Sequence, residues 1–443
     1  MNTEWLTMSA ADLGRGIGDG SINAVDLTET FLTAIKAHPL RDRIYARLTE
    51  DRARSEASAA HKRAQAGQRL SPLDGVPVSW KDLFDTAGVV TEAGSALLAG
   101  RVPDRDALVL QTATAAGLVC LGKTHMSELA FSGLGYNPVT QSPPSVNDPD
   151  SVAGGSSSGA AASVAFGLAA AAVGSDTGGS VRIPSAWNDL VGLKTTSGRL
   201  SLQGVVPLAA SFDTVGPLCR TVEDAALMLS ALEGAEPSDL QGFSLKDSRF
   251  AILDTVAMDG VREGPAKGFA DAVAKLRQAG AIIENIQVPV VADAMSLTAP
   301  LYTVEAYATW KDTIEAAPHL MFGEIRERFR AGGNFSGVEY VQAWQALERY
   351  RQEWNATISA YDAVIIPTSP ILPPNMERLA TDHEYYVAEN LLALRNTRIG
   401  NLMNCAALTM PTGVPSAGIS FLMHPGDEHR LLRIGVSAAA ALA

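Results

Sequence analysis

One segment, residues 154–182, constrains the fold more than any other: GGSSSGAAASVAFGLAAAAVGSDTGGSVR. Two Gly-Gly-Ser units place Ser156 and Ser180 at its two ends. Between them, small residues over 158–167 predict a closely packed helix, and the apolar run 169–173 predicts a buried strand. A helix and a strand of these lengths return the chain to its starting level, so both serines can meet at one end of a sheet. The glycines beside each serine allow positive φ and close backbone approach. Successive N–H groups around Thr177, Gly178, Gly179 and Ser180 can then point into one cavity. That arrangement stabilises a developing oxyanion, and losing one such donor costs about 2.7–4 kcal/mol in barrier height.

A serine nucleophile needs a base, and no His–Asp pair sits at a telling spacing. His125, just past a predicted strand end, reads as an ordinary surface or packing histidine. Lys81 follows the predicted apolar strand 76–80. A desolvated lysine there has a lowered pKa and can act as a base, or it can simply pair with the adjoining Asp82. GGSSSG before a helix also reads as an anion-cradling loop, although it lacks the GK[ST] ending of a phosphate-binding loop. TGGS also reads as a plain tight turn. Serine hydrolase, anion-binding loop and structural turn pair all stand open from the residues alone.

The remainder of the chain predicts an α/β protein. Helices are expected over 8–37 (two), 49–66, 106–117, 264–279, most of 303–358 with a gap at Gly332 and Gly333, and finally 386–398. Strands are expected over 117–124, 249–254, 281–289 and 362–370 and at GISFLM, followed by a C-terminal tail. No repeat or Pro/Ser/Gln linker divides the 443 residues. They read as one domain, 1–443, with 235–360 a more variable helical layer of it.

Net charge is −13 and aromatics are 6%. This argues against a basic nucleic-acid-binding surface and against base stacking. Cys120, Cys219 and Cys405 are too scattered for a disulfide framework or a zinc site. The longest apolar stretch, 160–173, is too short to span a bilayer. The start of the sequence carries no basic and apolar leader pattern. The expected setting is cytoplasmic, away from membranes.

Several blocks, in order, closely resemble the amidase signature family. They are PLDGVPVSWKDLFDTAGVVTEAGS (72–95), LGKTHMSELAFSGLGYNP (121–138), AGGSSSGAAASVAFG (153–167), GSDTGGSVRIPSAWNDLVGLKTTSGRLS (174–201), SFDTVGPLCRTVED (211–224) and IIPTSP (365–370). The resemblance implies a large mixed central sheet flanked by helices on both sides. It also implies a Ser–cis-Ser–Lys triad, with Ser180 as nucleophile, Ser156 as the bridging serine and Lys81 as base. The backbone of Thr177, Gly178 and Gly179, with Ser180, would form the oxyanion hole. Arg182, Asp176 and Asp213 are expected to hold loops, and Ser157 to support the triad. The implied reaction is hydrolysis of an amide C–N bond through an acyl-enzyme, with no metal or cofactor.

Families of this kind take varied amides, and one branch forms the A subunit of tRNA-dependent amidotransferases. That branch carries a segment reading EASSNLARYDG. Residues 304–315, VEAYATWKDTIE, lack it. The stretch ALRNTRIGNLMNCAALTMPTG (393–413) resembles the allophanate and carboxybiuret hydrolase branch. Arg395 or Arg398 could pair a substrate carboxylate there, or merely complement a helix C-terminus. The expectation is a small polar or carboxylated amide. The alternatives are the amidotransferase component just named, or a non-catalytic assembly component on the same fold. A homodimer or a small partner protein is compatible with either.

Overall fold

A computed structural model describes residues 2–443. Eleven strands form one mixed sheet: Tyr45–Leu48 (β1), Pro77–Lys81 (β2), Val119–Thr124 (β3), Ala171–Ser175 (β4), Val191–Lys194 (β5), Val215–Cys219 (β6), Arg249–Leu253 (β7), Ile282–Ile286 (β8), Ala363–Pro367 (β9), Ala406–Pro411 (β10) and Gly418–Met423 (β11). Their spatial order is β1-β3-β2-β4-β6-β5-β10-β11-β9-β7-β8. The central strands are buried along their whole length. That explains their unbroken apolar or small-residue runs, the mark of strands covered on both faces. Edge strand β8 instead buries only Ile283. The fold is α/β, as expected.

Strands β2, β3 and β4 are parallel, with Lys81 opposite Thr124 and Trp80 opposite Val173. From β4 the sheet turns antiparallel through β6, β5, β10, β11 and β9, then parallel again through β7 and β8. Residues 235–360 thus supply two strands of the sheet as well as helices. The link between the two Gly-Gly-Ser turns is the helix Ser158–Ala165 (α1) followed by β4. This is the helix-and-strand return read from the sequence, and it brings both turns to the C-terminal ends of β2 and β4.

Most predicted elements lie within two or three residues of their observed bounds. Lys81 is the last residue of β2 and not a residue beyond it. The expected helix 386–398 is two helices, His383–Ala393 and Arg395–Leu402, with the break at Leu394. The residues read as a C-terminal tail form the helix Glu428–Leu442, whose Leu431, Leu432 and Ile434 are buried. Ala438 and Leu442 continue that face, so an alanine-rich amphipathic helix was missed there. The 303–358 section begins with a π-helical turn, Ala299–Thr303, and divides into Val304–Ala316, Gly323–Arg330 (α3, after the short α2 at Arg182–Trp187) and Gly337–Ile358.

Candidate active site

Lys81 ends β2 completely buried. Its Nζ donates to Ser156 Oγ at 2.7 Å and to Ser175 Oγ at 2.7 Å. Ser175 ends β4, the parallel neighbour of β2, so strand register alone brings this second hydroxyl to the lysine. Burial pulls the Lys81 ammonium down to about 7, while Asp213 and Asp176 partly oppose the shift. A salt bridge to Asp82 is not what this lysine makes. Successive strand residues face opposite ways, and Asp82 pairs with Arg47 at 3.2 Å and Lys123 at 3.4 Å.

Ser156 sits after Gly155, and the peptide bond between them is cis. The flanking backbone is clamped on two sides. Gly155 N–H donates to Gly133 O at 2.8 Å, and Ser127 N–H to Ser156 O at 3.2 Å. Ser157 N–H donates to Ser180 O at 3.2 Å, which joins the two Gly-Gly-Ser turns through their main chains. Ser157 Oγ also donates to Ser175 O at 3.2 Å. The Ser156 and Ser180 hydroxyls lie at the same strand ends without a direct hydrogen bond among the described contacts; catalytic contacts of this kind often tighten only around a substrate.

The turn before Ser180 is built on a buried ion pair. Asp176 accepts from Arg182 Nε at 3.0 Å and Nη2 at 2.9 Å, and from Asn401 Nδ2 at 2.9 Å. The Arg182 cation and these bonds hold its carboxyl well below the usual carboxylate range. The same carboxylate accepts the N–H groups of Gly179 at 2.9 Å and Val181 at 3.1 Å. Gly179 N–H is therefore occupied. Thr177, Gly178 and Ser180 N–H meet no protein acceptor among the described residues, and these three residues line the same cavity. Gly179 has φ +140°, and a Cβ there would lie 2.1 Å from Thr397 Oγ1, so no larger residue fits. Asp213 accepts the Thr177 hydroxyl and the Leu208 N–H and so fixes the turn from the other side.

The cavity holds about 330 Å³ of space between atoms and opens to solvent. Its walls come from distant parts of the chain: Phe131 and Ser132, Thr298 just before the π-helical turn and Tyr302 on it, Arg328 on α3, and Leu394 and Arg398 at the start of the helix Arg395–Leu402 (α4). Arg398 is 8% exposed. Arg395 lies elsewhere. Its guanidinium donates to the carbonyls of Asp259 and Ala257. Both arginines stand at the N-terminal end of α4, where a cation opposes the helix dipole. Arg395 also lies just past the C-terminus of the helix His383–Ala393, where a cation suits the dipole, so the dipole reading stays open for it. His125 is outside this cavity, and burial pushes its imidazole down to about 4.

Ser175, Tyr302 and Arg328 were not singled out in the sequence. Ser175 had a local signal, as the polar end of an apolar strand and the serine of GSDTGGS just before Asp176. Tyr302 and Arg328 had none, because only the packing of 299–330 against the Ser180 turn brings them in.

No helix is long and apolar enough to cross a membrane among the described residues. The Amidase family pattern matches residues 26–432. The chain is 35% identical to a 2-amino-5-chloromuconic acid deaminase of Comamonas testosteroni over 88% of this chain and 87% of that one. It is 32% identical to the A subunit of the glutamyl-tRNA(Gln) amidotransferase of Chloroflexus aurantiacus over 97% and 95% of the two chains. In structure it superimposes on the allophanate hydrolase of Kluyveromyces lactis with a TM-score of 0.87 at 26% identity, covering 99% of this chain and 73% of that one. With a pattern match over nearly its whole length, a buried lysine on the serine of one Gly-Gly-Ser turn, and a second such turn beside it, the chain belongs to the amidase signature family.

Proposed function

We propose that this protein hydrolyses the C–N bond of a small polar or carboxylated amide, with Ser180 as nucleophile, Ser156 as bridging serine and Lys81 as base. The contact between Lys81 Nζ and Ser156 Oγ, made by a lysine with a pKa near 7, carries this reading. In the proposed first step neutral Lys81 accepts the Ser156 proton as Ser156 accepts that of Ser180. Ser180 Oγ bonds to the amide carbon, and the carbonyl π pair moves to oxygen. The N–H groups of Thr177, Gly178 and Ser180 receive that oxyanion. Ser156 then passes a proton to the leaving nitrogen as the Lys81 ammonium returns one to Ser156, the C–N bond breaks, and water, giving its proton through Ser156 to Lys81, hydrolyses the ester and restores Ser180.

The narrow cavity favours a small acyl or leaving group over a long chain. A related protein named as a muconic acid deaminase, and a structural neighbour named as an allophanate hydrolase, both support a small acidic substrate. In a second reading the chain is the A subunit of a glutamine-dependent tRNA amidotransferase, working in complex with partner proteins. Identity to such proteins over almost the whole chain favours it. Ammonia release by the purified chain alone, screened over small amides, ureas and carboxylated amides, tests the first reading. Glutamine hydrolysis that needs added partner proteins would favour the second. No ammonia under either condition would leave the non-catalytic assembly role.

A further inference from the structure

Thr397 stands in the first turn of α4, completely buried, and is 219 residues along the chain from Gly178. Its hydroxyl donates to Gly178 O at 2.8 Å. The N–H of that same peptide belongs to Gly179 and donates to Asp176 at 2.9 Å. The 178–179 peptide is thus held at both ends, by a hydroxyl on its oxygen and a carboxylate on its hydrogen. Two more bonds close a ring around it. Arg182 donates to Asp176 at 2.9 Å and to the Thr397 carbonyl at 2.7 Å. Asn396 anchors the same turn of α4, donating to the carbonyls of Ala257 at 2.9 Å and Pro367 at 2.8 Å.

The two glycines of this turn are not equivalent. A Cβ at Gly178 would meet only Leu394, at 3.7 Å, whereas one at Gly179 would lie 2.1 Å from Thr397 Oγ1. The space a side chain at 179 would need is the space the Thr397 hydroxyl takes. No other donor meets Gly178 O among the described residues, and a buried carbonyl left without one is costly. The Gly178 and Ser180 N–H groups belong to the peptides on either side of the clamped one. Turning the 178–179 plane would change the angle between these two donors, and a donor aimed off an oxyanion loses much of its effect. We infer that Thr397 is a positioning residue for the oxyanion hole: its hydroxyl, opposite Asp176, sets the 178–179 peptide so that the Gly178 and Ser180 N–H groups converge on one oxygen. The inference deepens the amide-hydrolase reading and rests on it for the identity of that oxygen.

A short-chain alkyl fluorophosphonate tests it without a known substrate. Ser180 Oγ bonds to phosphorus, the Ser180 proton leaves through Ser156 to Lys81, and fluoride departs. The phosphoryl oxygen takes the place of the amide oxyanion. The second-order labelling rate at Ser180 is followed by mass spectrometry across the pH range. Thr397→Val keeps the branched shape and loses the donor. It should label about 10-fold or more slower than the parent, with the inflexion at about pH 7 unmoved because Lys81 is untouched. Thr397→Ser keeps the hydroxyl and should label within a few-fold of the parent. If urea unfolding shows that the valine variant does not fold, Thr397→Ala against Thr397→Ser reads the same hydroxyl. A valine variant that labels as fast as the parent, or a serine variant as slow as the alanine one, overturns the inference. A parent that takes no label on Ser180 overturns the hydrolase reading instead. A crystal structure of Thr397→Val then judges the clamp alone: the Gly178 carbonyl is expected to shift by about 0.5 Å or more, and an unmoved peptide overturns the inference.

Discussion

The Asp176 carboxylate accepts the Gly179 N–H at 2.9 Å, and this takes one of the expected oxyanion donors out of the cavity. The same carboxylate is ion-paired to Arg182, both without exposure to solvent. The turn that presents Ser180 is therefore shaped by a buried charge pair, while the N–H groups of Thr177, Gly178 and Ser180 meet no protein acceptor among the described residues.

Removing one member of such a pair strands the other. Asp176→Asn should cost about 3–5 kcal/mol of stability. It should lower turnover more than the stability loss accounts for, because one of the two oxygens that accept from the Gly179 and Val181 N–H groups becomes an NH2 donor and the turn relaxes. Urea unfolding and turnover under conditions where the variant is folded check this. A variant as stable and active as the parent would show that the carboxylate does not shape the turn.

Lys81 sets the pH dependence. Burial lowers its folded pKa to about 7, and the neutral amine is the proposed base. The kcat/KM should rise with pH through about 7 and then level. Lys81→Ala should lose about 100- to 10,000-fold, and Lys81→Arg should not restore activity, since a guanidinium keeps its proton. Asp213 supports the ammonium form, so Asp213→Asn should move the inflexion to lower pH. A flat profile from about pH 5 to 9, with chemistry rate-limiting, would contradict this role.

Ser180→Ala should abolish hydrolysis and leave unfolding unchanged, because the hydroxyl lines a cavity and packs against little. A fluorophosphonate adduct mapped by mass spectrometry should lie on Ser180. Labelling at Ser156 or Ser201, or more than a few per cent residual activity in the variant, would move the nucleophile elsewhere.

The catalytic segment was legible because its chemistry is local. Small residues between two Gly-Gly-Ser turns leave little besides a close-packed helix and a buried strand, and the register of β2 against β4 then places Lys81 and Ser175 side by side. The far wall of the cavity was not legible. Tyr302, Arg328 and Arg398 come from a π-helical turn and two separate helices, and nothing in their local sequence says that they share a cavity. The break at Leu394 was equally hidden, since 386–398 is a continuous helical pattern. Yet that break puts Arg398 in the first turn of α4, beside the nucleophile turn, while Arg395 is spent on the carbonyls of Ala257 and Asp259.

Glu128 gives the last test, of a group that joins the cavity loop to α3. It is 1% exposed. Its carboxylate accepts the Ser95 hydroxyl at 2.7 Å and the Phe322 N–H at 3.0 Å. Phe322 immediately precedes α3, the helix that carries Arg328. Burial pushes the Glu128 carboxyl up to about 7 from an ordinary value of 4.5, with the two hydrogen bonds opposing. Between these values the folded protein holds a proton that the unfolded chain has lost. The stability tied to this group is thus full below pH 4.5 and lost as pH rises through about 7. Glu128→Gln keeps the shape and can keep both bonds, accepting from Phe322 and donating to Ser95 Oγ, but it carries no charge. Relative to the parent it should be nearly neutral at about pH 5 and about 2–3 kcal/mol more stable at about pH 8. Glu128→Ala loses both bonds and should be destabilised at either pH. Urea unfolding of all three proteins at both pH values decides the matter; a Gln-minus-parent difference that does not change between them would mean that Glu128 stays ionised across the range.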